Sequence, residues 1–274
     1  MRNLYISDLK RIVKDKLFFV VCILAGVFAI INPLLYKLIF AAVREYASGV
    51  MADMLYSTVN AKSLTFTAFL PSDNLGFVMA VLISIVVCKD FSQGTVRNKI
   101  ICGRSRTSVY LSHLFSSATV MCGIMLVHGL LTLCVSLCFF PYQDTDFVMS
   151  DLWYLLSSLL FEMFVYFAIA AIVTFIAALS KNMGICILLY LAVLFGLSLV
   201  GSVLMLLPNT LDPDSAAHGV FEFICSLNIY TSSLIGTGSE YTLKDVLYIL
   251  ASPVIISTAS TAFGISLFSR KNLK

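Results

Sequence analysis

Leu17 to Tyr36 reads LFFVVCILAGVFAIINPLLY, twenty residues without a charge. A helix needs about 20 mostly apolar residues to cross a hydrocarbon core roughly 30 Å thick. The run therefore predicts a transmembrane helix, with limits near residues 17–40. It is longer than the ~7–15-residue apolar core of a cleavable signal, and no small-residue cleavage site follows it. Residues 1–16 place Leu9, Ile12 and Val13 on one helical face, with Lys10, Arg11 and Lys14 elsewhere. That pattern predicts a basic amphipathic helix in the inner membrane interface; a frayed, charged tail that only sets topology is the alternative.

Working outward, five more apolar runs follow, near 75–88, 109–140, 152–179, 184–207 and 246–268. Hydrophobic residues make up 59% of the chain and charged residues 12%, against roughly 45–50% and about 25% in soluble domains. This excludes an ordinary soluble core and predicts an all-α integral membrane protein, with residues 1–274 forming one domain of six transmembrane helices. The second run is short, because fourteen residues rise only about 21 Å. It must borrow from Phe91 onward, start before Pro71, or sit in a thinned bilayer. Charge placement tests the layout independently. With the N-terminus inside, fourteen of the 18 Lys and Arg residues are cytoplasmic, and only Lys37, Arg44, Lys62 and Lys244 lie outside. Positive-inside bias then places both termini in the cytoplasm, which requires an even number of spans. The same inner segments hold three acids: Asp8, Asp15 and Asp90.

Motifs for soluble chemistry are missing. The chain has no phosphate-binding G-x-x-x-x-G-K-[ST] loop and no H-E-x-x-H or G-x-S-x-G. Cys134 and Cys138 are i,i+4 neighbours with no His or acid nearby, so no metal site is expected. Glu162 and His128 stand out instead. They lie at similar depth in the fourth and third runs, which a short loop joins through Pro141–Asp151. An acid in hydrocarbon needs a partner. The two residues either form a substrate-path or gating pair, or Glu162 is protonated and bonds a neighbouring helix while His128 faces elsewhere. Two outer regions are long enough to be structured. Residues 41–74 predict amphipathic interfacial helices. Within the extracellular stretch 208–245, Phe221, Phe223, Ile224 and Leu227 either dip back into the bundle or belong to an exterior helix.

Between the second and third runs lies a basic loop, 89–108. Lys89 to Arg106 reads KDFSQGTVRNKIICGRSR, with five basic residues and one acid. Thr95 is placed to cap a short helix and Gly103 to end it in the left-handed conformation. The order D-F-x-x-G-T-V-R-N-K-I-x-x-G-x-S-R, directly after an apolar run, resembles the loop of ABC-2-type transporter permeases. The six-span layout and inner N-terminal helix resemble that family over essentially the whole chain. The resemblance implies a permease subunit of an ATP-binding cassette exporter, itself no enzyme, in a bacterial cell membrane. Asp90, Phe91, Gly94, Thr95, Arg97, Asn98, Lys99, Gly103 and Arg106 would form or brace its coupling helix. ATP and magnesium would sit on a separate ATP-binding subunit, with no cofactor in this chain. The permease would work as a homodimer or beside a second permease, exporting or giving immunity to a peptide or another hydrophobic or amphipathic compound, without any nucleic-acid partner. The loop's charges otherwise serve only topology. The rival classes are a non-transporting sensor or assembly partner, and an intramembrane enzyme using Glu162 and His128.

Overall fold

The computed structural model describes residues 1–46, 59–72, 74–92, 94–143, 147–180, 182–206, 215–237 and 241–270. Every regular element among the described residues is a helix. In chain order these are α1 (Arg2–Lys14), α2 (Lys16–Tyr46), α3 (Ala61–Phe69), α4 (Asn74–Ser92), α5 (Thr95–Ile101) and α6 (Arg106–Leu137), followed by α7 (Met149–Leu179), α8 (Met183–Leu206), α9 (Ala216–Ser226), α10 (Ile229–Gly236) and α11 (Leu243–Arg270). Five of them, α2, α6, α7, α8 and α11, are long and apolar enough to cross a membrane. The chain is a multi-span, all-helical membrane protein.

The short second run resolves as a longer helix with a bend. Helix α4 continues to Ser92, 19 residues in all, or about 28 Å at 1.5 Å per residue. Its Val78–Phe91 portion then turns by 52° into α5, and the two make a sixth span only if counted together. The run thus extends past Phe91, one of the three solutions its length demanded.

Helix α7 is the hub. Its most apolar window is 67% buried within the protein, against 17% in α8 and 22% in α2 and α11. Small residues make this possible: Ala168, Ala170, Ala171, Ala177 and Ala178 are all buried and let neighbours approach closely. By contrast α2 and α8 turn Ile23, Ile30, Leu188 and Leu199 outward, as helices facing lipid do.

Two segments expected on the outer side differ from that expectation. Helix α2 runs on to Tyr46, well past residue 40, and 47–58 lie outside the described residues. Helix α3 is no surface helix: Ala61, Leu64, Phe66, Ala68 and Phe69 are buried. Its N-terminus is held by the Asn60 cap and by backbone bonds from Ala61 and Lys62 to the carbonyls of Pro141 and Tyr142. Lys62 adds an ion pair with Asp151 at 3.0 Å.

In the region before α11, expected to be extracellular, the buried piece is not Phe221–Leu227. Phe223, Ile224 and Leu227 remain exposed on α9, while the next helix, α10, turns inward with Ile229, Tyr230, Thr231, Ser232 and Ser233 all buried. Asn228 makes that turn. Its side chain caps α10 by accepting from Tyr230 N at 2.9 Å and donates to the Leu197 carbonyl of α8 at 2.8 Å.

Candidate functional site

The basic loop folds as α5 between two glycines. Gly94 (φ 72°) is the N-cap and Thr95 the first helical residue, so Thr95 does not cap the helix. At the other end Gly103 (φ 82°) sends its N–H to Ile100 O and Arg104 N bonds Lys99 O. That is the paired closure of a left-handed C-terminal turn, which a residue with a Cβ adopts only at a steric cost. Ser105 then caps α6 by accepting from Ser108 N.

Side chains of α5 divide into two sets. Val96 is buried and Lys99 points inward. Arg97, Asn98, Ile101 and Arg104 are exposed, Ile101 at 71%. Arg97 and Ile101, at i and i+4, share one helical face, and Arg104 follows beyond the left-handed turn at Gly103. Phe91 lies behind them, edge-on to Phe268 of α11 at 5.5 Å and tilted against His113 of α6 at 5.8 Å. Arg106 donates to the carbonyls of Phe268 (3.3 Å) and Ser269 (2.8 Å), a cation on the C-terminus of α11.

Beneath α5 is a closed ring of charges joining four helices. Asp8 of α1 accepts from Lys99 of α5 at 2.5 Å and from Ser112 of α6 at 2.5 Å. Lys99 Nζ stands 3.4 Å from His113 Nε2, and His113 Nδ1 lies 3.4 Å from Asp90 Oδ2. Arg11 of α1 pairs with Asp90 at the end of α4 and lies 3.7 Å from Asp8, closing the ring. Asp8, Asp90 and His113 are each at most 4% exposed. Burial alone pushes the Asp8 carboxyl up, but the nearby positive charge and the bonds from Lys99 and Ser112 outweigh it and hold it below the usual carboxylate range. Asp8, Asp90 and His113 also offer three ligand atoms within 4.8 Å of one another. Lys99 and Arg11 already answer both carboxylates there, so the site carries its own cations and is built as an ion-pair network.

Glu162 and His128 do not meet. His128 Nδ1 lies 3.0 Å from the Ala25 carbonyl of α2. Glu162, fully buried, accepts from Ser233 Oγ of α10 at 2.5 Å, and its Oε2 has no hydrogen-bond partner among the described residues. The Glu162–His128 pair is thus replaced by Glu162–Ser233. Ser158 and Tyr166, one turn to either side of Glu162, are buried as well, making a polar stripe on α7. Between α6, α7 and α11 runs an apolar groove of about 770 Å³ lined by Phe115, Cys122, Met163, Phe164, Phe167 and Val254.

Compared with known protein families and with curated proteins, the chain matches none.

Proposed function

We propose that this chain is the permease subunit of an ATP-binding cassette transporter, with α5 as the helix that docks on a separate ATPase subunit. The observation that carries this reading is the division of α5. Arg97, Asn98, Ile101 and Arg104 are presented to the outside, while Lys99 and Asp90 anchor its base to α1 and α6. A helix that served only topology would need neither the exposed Ile101 nor a buried mount. An apolar side chain flanked by two arginines suits a partner surface that mixes an apolar pocket with acids.

In this reading α4 crosses the membrane as the sixth span and α5 turns off its inner end, both termini are cytoplasmic, and α1 lies in the inner interface of a bacterial cell membrane. Two such chains, or this chain and a second permease, flank the path. Movement of α5 on the closing ATPase pair passes through the ring to α1, α4 and α6, and the spans reorient. A bound partner shifts that equilibrium only by its different affinity for the two states. The apolar groove between α6, α7 and α11 favours a hydrophobic or amphipathic cargo over a highly charged one. Intramembrane catalysis loses its acid–base pair once Glu162 and His128 are apart.

Affinity purification in mild detergent with mass spectrometry tests this. Wild type should retain an ATP-binding subunit and Arg97→Glu should lose it while keeping its helical content. Recovery of wild type without any ATPase under several mild conditions would sink the proposal in favour of a sensor.

A further inference from the structure

Glu162 lies thirteen residues from Met149, the start of α7, or about 20 Å along the helix. Among the described residues no charge answers it there. Of the elements packed on α7, Lys62 of α3 is committed to Asp151, and His128 of α6 to the Ala25 carbonyl. At the head of α11, Asp245 accepts from Thr242 and Lys244 pairs with Glu222 of α9. Among the described residues, Tyr241 before α11 interacts with Glu162, and Tyr166 lies one turn along α7. The Cys122 thiol of α6 donates to the neighbouring Met163 carbonyl, and the charges of α4, Lys89 and Asp90, stand at its end paired with Asp15 and Arg11. Tyr241 donates to the Gly236 carbonyl at 2.6 Å. A Cβ on Gly236 would stand 3.9 Å from Glu162 Oε1, at ordinary van der Waals distance, so the end of α10 lies beside the acid.

This is a poor place for an anion and a good one for a neutral acid. As a carboxylate, Glu162 would have, among the described residues, one hydrogen bond, an unpartnered oxygen and no cation, all within one of the candidate membrane-crossing helices. As a carboxylic acid, Oε1 is the carbonyl acceptor that Ser233 already engages and Oε2 carries the proton. We propose that Glu162 is a proton-binding site, occupied while α10 is seated against α7, and that loss of the proton unseats α10. The anion would have to draw in water or a cation, and the hydroxyl-rich helix α10 is the element that must move to admit them. Beyond the packing of Ile229 and Tyr230 in the core, the described polar ties of α10 to its surroundings are the Asn228 bond to α8 and the Tyr241 bond to Gly236. The site lies within this chain and needs no ATPase, so it stands or falls separately from the transporter reading.

The test uses the purified chain in phosphatidylcholine nanodiscs. Infrared difference spectra should show a protonated-carboxyl stretch at neutral pH that is lost in Glu162→Gln and disappears from wild type as pH rises. Amide exchange of 229–236, corrected for its intrinsic pH dependence, should increase over the same pH range in wild type and stay flat in Glu162→Gln. Ser233→Ala, which keeps the acid, should shift the carboxyl stretch upward through loss of its hydrogen bond. Absence of the stretch from wild type at neutral pH, an equal exchange response in Glu162→Gln, or an unshifted stretch in Ser233→Ala would overturn the proposal.

Discussion

Replacing Asp8 by alanine should release α1 from the base of α5. The change removes the acceptor shared by Lys99 and Ser112, each 2.5 Å away, in a place where Asp8 is 1% exposed and the Lys99 side chain 14%. Deleting one partner of a buried pair costs roughly 3–5 kcal/mol, because the other charge stays behind unanswered. Lys99 retains some exposure, so the lower figure of about 3 kcal/mol applies. That is comparable to burying the Ile12 side chain, worth about 1.5–3 kcal/mol, and Ile12 is α1's best-buried apolar anchor. The deletion penalty is therefore of the same order as the burial of Ile12 alone. At about 1.4 kcal/mol per tenfold, the opening equilibrium of α1 should rise by about two decades. Amide hydrogen exchange over Arg2–Lys14, with Met183–Leu206 as an internal reference, reads this directly. Adding Lys99→Ala should then cost little more, since the stranded charge is gone. Unchanged exchange in α1, or fully additive effects of the two substitutions, would refute the ring as a mechanical tie.

Acid should weaken the same tie. Asp8 has a depressed folded-state pKa, so its contribution is complete above the ordinary aspartate value of 3.8 and is lost as pH falls through the lower folded value. Protection of α1 should hold at neutral pH and fall below about pH 4 in wild type, with a smaller fall in Asp8→Asn, and thermal melts across pH will check this. Gly129→Ala should loosen α3 from α6, because its Cβ would stand 2.1 Å from Cε1 of the fully buried Phe69. Overpacking of this kind costs about 1–3 kcal/mol. A lowered melting midpoint, restored in part by Phe69→Leu, is the expected result.

What was legible in the sequence was local. Apolar runs announce the spans because hydrocarbon tolerates little else. Gly103 announces the end of α5 because it takes the left-handed conformation that other residues resist. The misplacements come from contacts between distant segments. Thr95 looked like a cap only because Gly94, with no side chain to bond, does not advertise itself as one. Helix α10, IYTSSLIG, is so rich in hydroxyls that it read as part of an outer loop. It is buried by the core packing of Ile229 and Tyr230 together with the Asn228 bond to α8 and the bond from Ser233 to the acid on α7, 71 residues away. Glu162 was conspicuous, but proximity in depth suggested His128, whereas the rotation of each helix about its own axis decides which neighbour a side chain meets.

The charge ring could have been anticipated from scarcity. The segments assigned to the inner side are strongly basic, and retaining topology there favours Lys and Arg while acids contribute little. Three acids nevertheless occur: Asp8, Asp15 and Asp90. In the structure each is paired across helices, Asp8 with Lys99, Asp90 with Arg11, and Asp15 with Lys89 at 3.5 Å. All three pairs join α1 or the α1–α2 turn to the end of α4 or to α5. Asp8 and Asp90 are buried and each answers a cation, and with the more exposed Asp15 they tie α1 and the α1–α2 turn to the loop. The basic residues left over, Arg97 and Arg104, are exposed. Pairing thus separates the loop's charges into those that fix it and those that face outward, and the residues available to a partner are the ones the ring does not use.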